Sequence, residues 1–584
     1  MTAIKKIITL VFLSSCCLLL SIVTSAQSKP NIIFIMMDDV GYGDIGKLGS
    51  PIIKTPHIDK LHDQSARLTN YHTGTTCSPT RAALMTGQHY NKVGVWHTII
   101  GRSILRDGIT TLPEVLVKNG YRTGIFGKWH LGDNYPTRPQ DRGFQYTLIH
   151  KGGGVGQTPD YWGNDYFDDT YWRNDVPEKF NGYCTDIWFG EAIKYMETNV
   201  KDGKPFFCYL PLNAAHQPHR APQQNLDKYK NVPGTIDPVY NAMVDNIDEN
   251  IGRLMARLDE MNISDNTILI FTSDNGTSPN AGVVIDKQGF VTKGFNAGMR
   301  GVKAQPYEGG HRVPFFIRYP GGAINSGKDV VQLSSCVDVL PTLLAMCNIE
   351  NRLHHIDGEN MLPYLQGKEP DENKIYIADT QRDRFLAKYK DYAVMKSNWR
   401  LVNGELFNLT NDPGQRTNIA ATYPEIATAL KNEYEKWWSI VEKENVKHPF
   451  VRIPVLAKGT TEINCMDLFP DNDKYTAWNQ EMIKKEQNNS SGTWKLNVKK
   501  KGAYEIVIRQ FPIEADDNTL PVFNPAGKAF VRVNGAEVIE LDQVSAKKAV
   551  YKLKLPKGAI DFTAGFKASD GQTIVAQYVY FKKI

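Results

Sequence analysis

A chain of 584 residues exceeds one ordinary domain, so two or three are expected. Hydrophobic residues make up 41% and charged residues 22%, the balance of a soluble globular protein. The formal net charge of +5 is small for this length and gives no argument for nucleic acid as a partner.

The N-terminus reads as an export signal over residues 1–26. Lys5 and Lys6 precede an apolar run from Ile7 to Val23, and Thr24-Ser25-Ala26 supplies small residues for cleavage before Gln27. Leu13-Ser14-Ser15-Cys16 loosely resembles a lipoprotein cleavage site, but the apolar run continues past Cys16, which favours plain secretion into a periplasm or medium. No later stretch is long and apolar enough to span a bilayer. Six cysteines follow the signal: Cys77, Cys184, Cys208, Cys336, Cys347 and Cys465. With Cys77 set aside the count is odd, so one bridge, two or none are open.

Ile32 to Met37 is a continuous apolar run of buried-strand type, ending at Asp38-Asp39. His57 to Leu68 reads as a helix, and a second helix begins at Cys77 and stops near Gly87. A short helix ending near Gly120 leads to a strand over Tyr121–Phe126 and then to Gly127-Lys128-Trp129-His130-Leu131-Gly132. Phe206 to Leu210 is another apolar run, closing on His216-Gln217-Pro218-His219. Tyr240, Met243, Val244, Ile247, Ile251, Leu254, Met255 and Leu258 trace one helical face, and Thr267 to Phe271 then ends in Ser273-Asp274-Asn275-Gly276. Helices alternating with apolar strands that end in polar residues argue for an α/β fold, a mainly parallel sheet sandwiched by helices. In such sheets ligands bind beyond the carboxyl ends of the strands, where Asp38, Asp39, Lys128, His130, His216, Asp274 and Asn275 all fall.

From about Asp371 the texture changes. Tyr392–Lys396 and Trp399–Val402 read as antiparallel strands, a turn follows over Leu406–Pro413, and a helix runs from Pro424 to about Glu444. Beyond Pro449 there is no helix pattern. Tyr504, Ile506 and Ile508 alternate with polar residues, as do Tyr551, Leu553 and Leu555. Asn534-Gly535 marks a hairpin, Pro556-Lys557-Gly558 a turn, and Val575, Val579 and Phe581 the last strand. The expected division is 27–370 for the α/β domain, 371–449 for a smaller α+β subdomain and 450–584 for an appended β-sandwich.

Asp38, Asp39, Asp274 and Asn275 offer only oxygen ligands and suit a hard divalent cation. Cys77-Ser78-Pro79-Thr80-Arg81-Ala82-Ala83-Leu84-Met85-Thr86-Gly87 resembles the signature of the formylglycine-dependent sulfatases, with the required cysteine, proline and arginine intact as Cys77, Pro79 and Arg81. Gly-Lys-Trp-His-Leu-Gly at 127–132 resembles a second signature. Asn296 to Lys303 followed by Tyr307 to Pro314 resembles a third, and Asp338 to Thr342 and Ile356-Asp357-Gly358 resemble scaffold positions. The resemblance covers about Pro30 to Asn418. It implies the arylsulfatase-like, alkaline-phosphatase-like fold and one cation, calcium with magnesium as the alternative, on Asp38, Asp39, Cys77, Asp274 and Asn275.

It also implies that a maturing enzyme oxidises Cys77 to formylglycine, whose hydrate attacks sulfur beside the cation and Arg81. Lys128 and Lys303 would hold sulfate oxygens, His216 would protonate the departing alcohol, and His130 would take a proton from the second hydroxyl. The competing readings keep the fold but hydrolyse phosphate or phosphonate esters, or bind glycan without turnover. The Lys128, His130 and Lys303 signatures favour sulfate, and the intact Cys77 and Arg81 favour an enzyme.

Export, the β-sandwich and an aromatic, glycine-rich insertion between His150 and Asp175 together point to a sulfated carbohydrate, with a galactose or N-acetylgalactosamine unit preferred. His97, Arg102, His219 and Arg220 are candidate sugar contacts. Between His150 and Asp175, Gly152-Gly153-Gly154 precedes Tyr161, Trp162, Tyr166, Phe167, Tyr171 and Trp172. Such aromatics either stack on sugars or anchor the loop hydrophobically. The β-sandwich either binds glycan or only packs on the catalytic domain.

Overall fold

The computed structural model describes residues 29–584, apart from 325–326, 486–490, 516–527, 537–538, 543–547 and 568–572. The expected export signal lies outside the described residues. Among these, no helix is long and apolar enough to cross a membrane.

The core is a ten-stranded sheet. Its centre is β1 (Asn31–Met37), flanked in parallel by the strands Phe206–Pro211 and Thr267–Ser273. Arg122–Lys128 and Tyr146–His150 extend the parallel run on one side. Phe315–Arg318 continues the other side antiparallel. Successive residues of a strand point to opposite faces, and both faces here are covered. Ile32, Phe34 and Met36 enter one core, and Ile33, Ile35 and Met37 the other. The second core is capped by α1 (Cys184–Lys201) and α2 (Pro238–Glu260), the latter started by Asp237, whose Oδ1 accepts from the Val239 and Tyr240 amides. Burial of each such large aliphatic side chain contributes roughly 1.5–3 kcal/mol.

The helix expected over His57–Leu68 is shorter, Pro56–Asp63, because Ala66–Leu68 pairs with Phe315–Arg318 and Asp329–Val330 at the sheet edge. Sheet hydrogen bonding there outweighs local helical pattern.

Four antiparallel strands, Ile375–Asp379, Tyr392–Lys396, Trp399–Val402 and Glu405–Asn408, form a second sheet. Leu406 and Phe407, expected in a turn, lie on its last strand. Leu430, Tyr434 and Trp438 of the helix Pro424–Lys447 cover one face, while Tyr376, Ala393, Met395 and Phe407 on the other join the main core.

After Pro449 two sheets share one core containing Trp494, Leu496, Tyr504, Ile506, Phe562 and Phe581. Asn534 and Gly535, both at positive φ, turn the antiparallel pair Lys528–Val533 and Ile539–Asp542. Two expectations change here. Val575 belongs to a short strand, Thr573–Val575, separate from Tyr578–Lys583 and paired to a different sheet. A one-turn helix, Gln480–Lys484, also appears, started by Asn479, whose side chain accepts from the Met482 amide. A single turn is too short to show helical periodicity in sequence. All six described cysteines are buried and free, which settles the open question of bridges among the described residues.

The second sheet is tied to the first domain by a buried ion pair. Arg400 Nε donates to Glu308 Oε1 at 2.7 Å and Nη2 to Asn70 Oδ1 at 2.8 Å, with Arg400 and Glu308 side chains each 1% exposed. Burial alone would raise the Glu308 carboxyl, but Arg400 holds it below the usual carboxylate range. Arg400→Ala strands that carboxylate, and the expected loss is about 3–5 kcal/mol in denaturant unfolding. A loss under about 1 kcal/mol would show that the pair does not anchor the subdomain.

Candidate active site

Three acids and three bases meet beyond the carboxyl ends of three sheet strands. Asp38 and Asp39 follow β1, Asp274 and Asn275 follow Thr267–Ser273, and Lys128 ends Arg122–Lys128. Between them lies α3 (Cys77–Thr86), every residue of which is buried. Thr76 precedes it in extended conformation, and Gly87 stops it with φ of 66°, its amide donating to the Ala83 carbonyl at 2.9 Å. This places Cys77 in the first turn and turns Arg81 back into the same space.

Each acid has its own base. Lys128 Nζ donates to Asp38 Oδ2 at 2.5 Å, and Lys303 Nζ lies 2.6 Å from Asp39 Oδ1. Arg81 Nη2 donates to Asp274 Oδ2 at 2.7 Å while its Nη1 donates to the Lys128 carbonyl at 2.9 Å. Burial opposes ionisation of Asp39, yet Lys303 holds its carboxyl below the usual range. Burial, reinforced by Asp38, raises Asp274 to about 6. The same two causes push the Cys77 thiol up to about 12, so an unmodified thiol stays protonated at neutral pH.

Cys77 Sγ is 3.5 Å from Asp38 Oδ1, and ligand atoms of Asp38, Asp39, Cys77 and Asp274 all lie within 4.8 Å of one another. Asn275 donates through Nδ2 to Asp39 Oδ1 at 2.8 Å and to the Gly276 carbonyl, which leaves its buried Oδ1 without a hydrogen bond. An orphaned amide oxygen beside three carboxylates fits a hard cation, and the cluster could hold one.

The two histidines present one basic nitrogen each. His130 Nε2 donates to the Thr98 carbonyl at 2.9 Å, leaving Nδ1 unpartnered, and burial together with Lys128 holds the ring well below its ordinary pKa. His216 Nδ1 donates to the Gln217 carbonyl at 2.7 Å, leaving Nε2, and burial with Lys303 lowers its pKa to about 3. With Cys77, Lys303, Thr98 and Gln157 they line a cleft of roughly 250 Å³.

The insertion between His150 and Asp175 serves these histidines in a way its sequence did not reveal. A Cβ on Gly153 would lie 2.2 Å from His130 Cε1, and one on Gly154 3.2 Å from His216 Nδ1. Tyr166 is buried and donates to the His216 carbonyl at 2.6 Å. Tyr171 packs on Trp188 and Trp162 on Phe511, so these aromatics act as anchors.

None of the four candidate sugar contacts lines the cleft. His97 is fully buried, its Nδ1 accepting from the Thr98 and Ile99 amides. Arg102 is buried against Trp96, Phe450 and Phe469 and donates to the carbonyls of Arg384 and Pro449. His219 pairs with Asp237, and Arg220 is exposed outside the cleft. Position in sequence near His216 did not translate into position near the pocket, because the chain turns away after Gln217. Several cleft residues went unpredicted, among them Arg382, Tyr475 and Trp478, which carry no motif and arrive from distant segments.

Gly153→Ala is expected to fold, since the glycine has ordinary negative-φ geometry, but to displace the His130 ring. Turnover should fall about 100-fold with little change in thermal unfolding. Activity within twofold of the parent would mean the ring is not held by this contact.

Residues 30–349 match the sulfatase family model, and residues 303–439 match the model for the N-sulphoglucosamine sulphohydrolase C-terminal region. The chain is 31% identical over 503 residues to the uncharacterized sulfatase YdeN of Escherichia coli, covering 70% of this chain and 85% of that one. It is 30% identical over 429 residues to human N-acetylgalactosamine-6-sulfatase, covering 68% and 78%. Among solved structures, Ps i-CgsB in complex with k-i-k-neocarrahexaose superposes with a TM-score of 0.63 at 28% identity, over 70% of this chain and 92% of that one. The chain therefore belongs to the sulfatase family, with its arylsulfatase-like, alkaline-phosphatase-like fold, and is a sulfuric ester hydrolase.

Proposed function

We propose that this sulfatase is exported and removes sulfate from a sulfated carbohydrate, using a formylglycine made from Cys77 and one divalent cation. The observation that carries the reading is a cleft lined by Asp39, Cys77, His130, His216 and Lys303, with Arg81 and Lys128 paired to the buried oxygen cluster of Asp38, Asp39, Asp274 and Asn275 around Cys77. Sulfate ester hydrolysis follows from the family; the chemistry below is our reading of the geometry.

Asp38, Asp39, Asp274 and the free Oδ1 of Asn275 would hold the cation, calcium or, alternatively, magnesium. Bound there, it would lower the pKa of a hydroxyl on residue 77 and offset sulfate charge. An aldehyde hydrate at that position carries two hydroxyls on one carbon, one to attack sulfur and one to expel sulfate afterwards. A sulfatase-maturing enzyme would be the partner that installs it.

Arg81 is locked by Asp274 and the Lys128 carbonyl, so it stabilises negative charge without reorganising. Lys128, paired with Asp38, and Lys303, paired with Asp39, are the candidates to hold sulfate oxygens. His130 keeps Nδ1 free to take a proton from the second hydroxyl, because Nε2 is committed to Thr98. His216, with Nε2 free at the cleft, is placed to protonate the departing alcohol once sulfate charge raises its pKa. Lys5, Lys6 and the apolar run to Val23 support export. The names of the human relative and of the neocarrahexaose complex support a sugar substrate, with a galactose or N-acetylgalactosamine unit preferred.

Cys77→Ser keeps one oxygen but cannot form the hydrate, so it should fold and bind substrate while turnover falls at least about a thousandfold. Substantial turnover by that variant would refute the mechanism. Mass spectrometry of the peptide containing residue 77 in active native protein should show the aldehyde, and a thiol alone would overturn the formylglycine assignment. Prolonged chelation should abolish activity and calcium restore it, with Asp274→Ala inactive under both conditions; indifference to chelation removes the cation from the scheme. Cleavage of aryl sulfates with none of any sulfated saccharide would overturn the carbohydrate assignment alone.

A further inference from the structure

The region after Pro449 reaches the cleft through one arm, residues 471–479. Tyr475 and Trp478 of this arm line the same cleft as Cys77, His130 and His216, together with Arg382 from the second-sheet region. Both family models end before it, the later at residue 439, so the arm belongs to what this chain adds to the shared catalytic body.

The arm is built into place. Its carbonyls at Ala477 and Trp478 accept from Thr158 Oγ1 at 2.7 Å and Thr158 N at 3.2 Å. Gln157 and Asn479 form an antiparallel bridge, and the buried side chain of Gln480 donates to carbonyls of the 157–161 segment while accepting from the Gly163 amide at 2.9 Å. From the β-sandwich core, Tyr578 OH donates to the Thr158 carbonyl at 2.7 Å, and Cys465 Sγ to the Ala477 carbonyl at 3.0 Å. The same insertion carries Gly153 and Gly154 against the two catalytic histidines, so arm and chemistry share one support.

What the arm presents is suited to a sugar. Tyr475 is 45% exposed although it is a large aromatic, and its hydroxyl donates to the Arg382 carbonyl at 3.2 Å. Its ring lies 5.6 Å from that of buried His97, which backs it on the side away from solvent. Trp478 is half-buried at the cleft wall, and the side chain of Arg382 is exposed at the rim. Two aromatic surfaces with a guanidinium beside them offer CH–π stacking for a pyranose and a fork for an anionic substituent.

We infer that Tyr475, Trp478 and Arg382 form a subsite for the sugar next to the one bearing the scissile sulfate, and that this neighbour carries an anionic group, a carboxylate or a second sulfate. The appended β-sandwich is then a specificity element of the active site, delivered through the 471–479 arm. This rests on the carbohydrate reading above.

The test compares kcat/KM on three probes: a small aryl sulfate, a monosulfated disaccharide, and the same disaccharide with an anionic group on the neighbouring sugar. For Tyr475→Ala and Trp478→Ala, the ratio of either disaccharide to aryl sulfate should fall about tenfold, and Tyr475→Phe should restore it. For Arg382→Ala, the preference for the anionic over the neutral disaccharide should fall about tenfold. If Trp478→Ala does not fold, Trp478→Phe and the two exposed positions carry the test. Ratios within twofold of the parent, in an enzyme that cleaves the disaccharides, overturn the subsite and leave the carbohydrate reading standing. An enzyme that cleaves aryl sulfate but neither disaccharide nor any other sulfated saccharide overturns both.

Discussion

The structure depends on holding three carboxylates within a few ångströms of each other in a buried place. Left alone, three buried carboxylates this close would repel one another and favour taking up protons. The fold offsets that repulsion by delivering one base to each acid, Lys128, Lys303 and Arg81, from three different segments, although burial and Asp38 still raise Asp274 to about 6. Removing any one base leaves a buried charge uncompensated, a loss of about 3–5 kcal/mol in comparable pairs. The sheet, the buried α3 helix and the loop carrying Lys303 are therefore fixed relative to one another by electrostatics as well as by packing.

This constraint explains why the site can be both rigid and reactive. The bases that neutralise the acids are held in fixed orientations, so under the proposed function an arriving ester would find its counter-charges already oriented. Asn275 is the one member whose oxygen stays unsatisfied, beside a cluster that could hold a cation. The histidines follow a similar logic. Each spends one ring nitrogen on a backbone carbonyl, which sets its tautomer and leaves the other nitrogen uncommitted.

Around this centre the later segments act as supports. The glycine-rich insertion packs its backbone against both histidines, and its aromatic residues root it in the core instead of facing the cleft. The same insertion receives the 471–479 arm, so the β-sandwich docks on the loop that packs against both histidines. Arg102 illustrates the cost of reading function from residue type alone. A cation lying in sequence between the Cys77 and Lys128 motifs invites a substrate role, yet here aromatic rings and backbone carbonyls enclose it at the junction with the C-terminal region.

Much of this was legible before any coordinates. Apolar runs ending in acids and amides marked strands with functional carboxyl ends, because a parallel strand covered on both faces needs apolar side chains along its length and can place polar ones only where it stops. The motifs at Cys77, Lys128 and Lys303 identified the sulfatase chemistry, since each is local and survives reading as a string. The sequence by itself thus determined the fold class, the family and a set of candidate residues that the fold brings together around Cys77. Only the tertiary structure decided what surrounds them: that His97 and Arg102 turn inward, that Gly153 cradles His130, and that Tyr475 and Trp478 cross from the far end of the chain to the cleft. The reason is physical. Motif residues are specified by local backbone geometry, whereas the cleft walls are set by which distant surfaces bury each other, and no local pattern encodes that pairing.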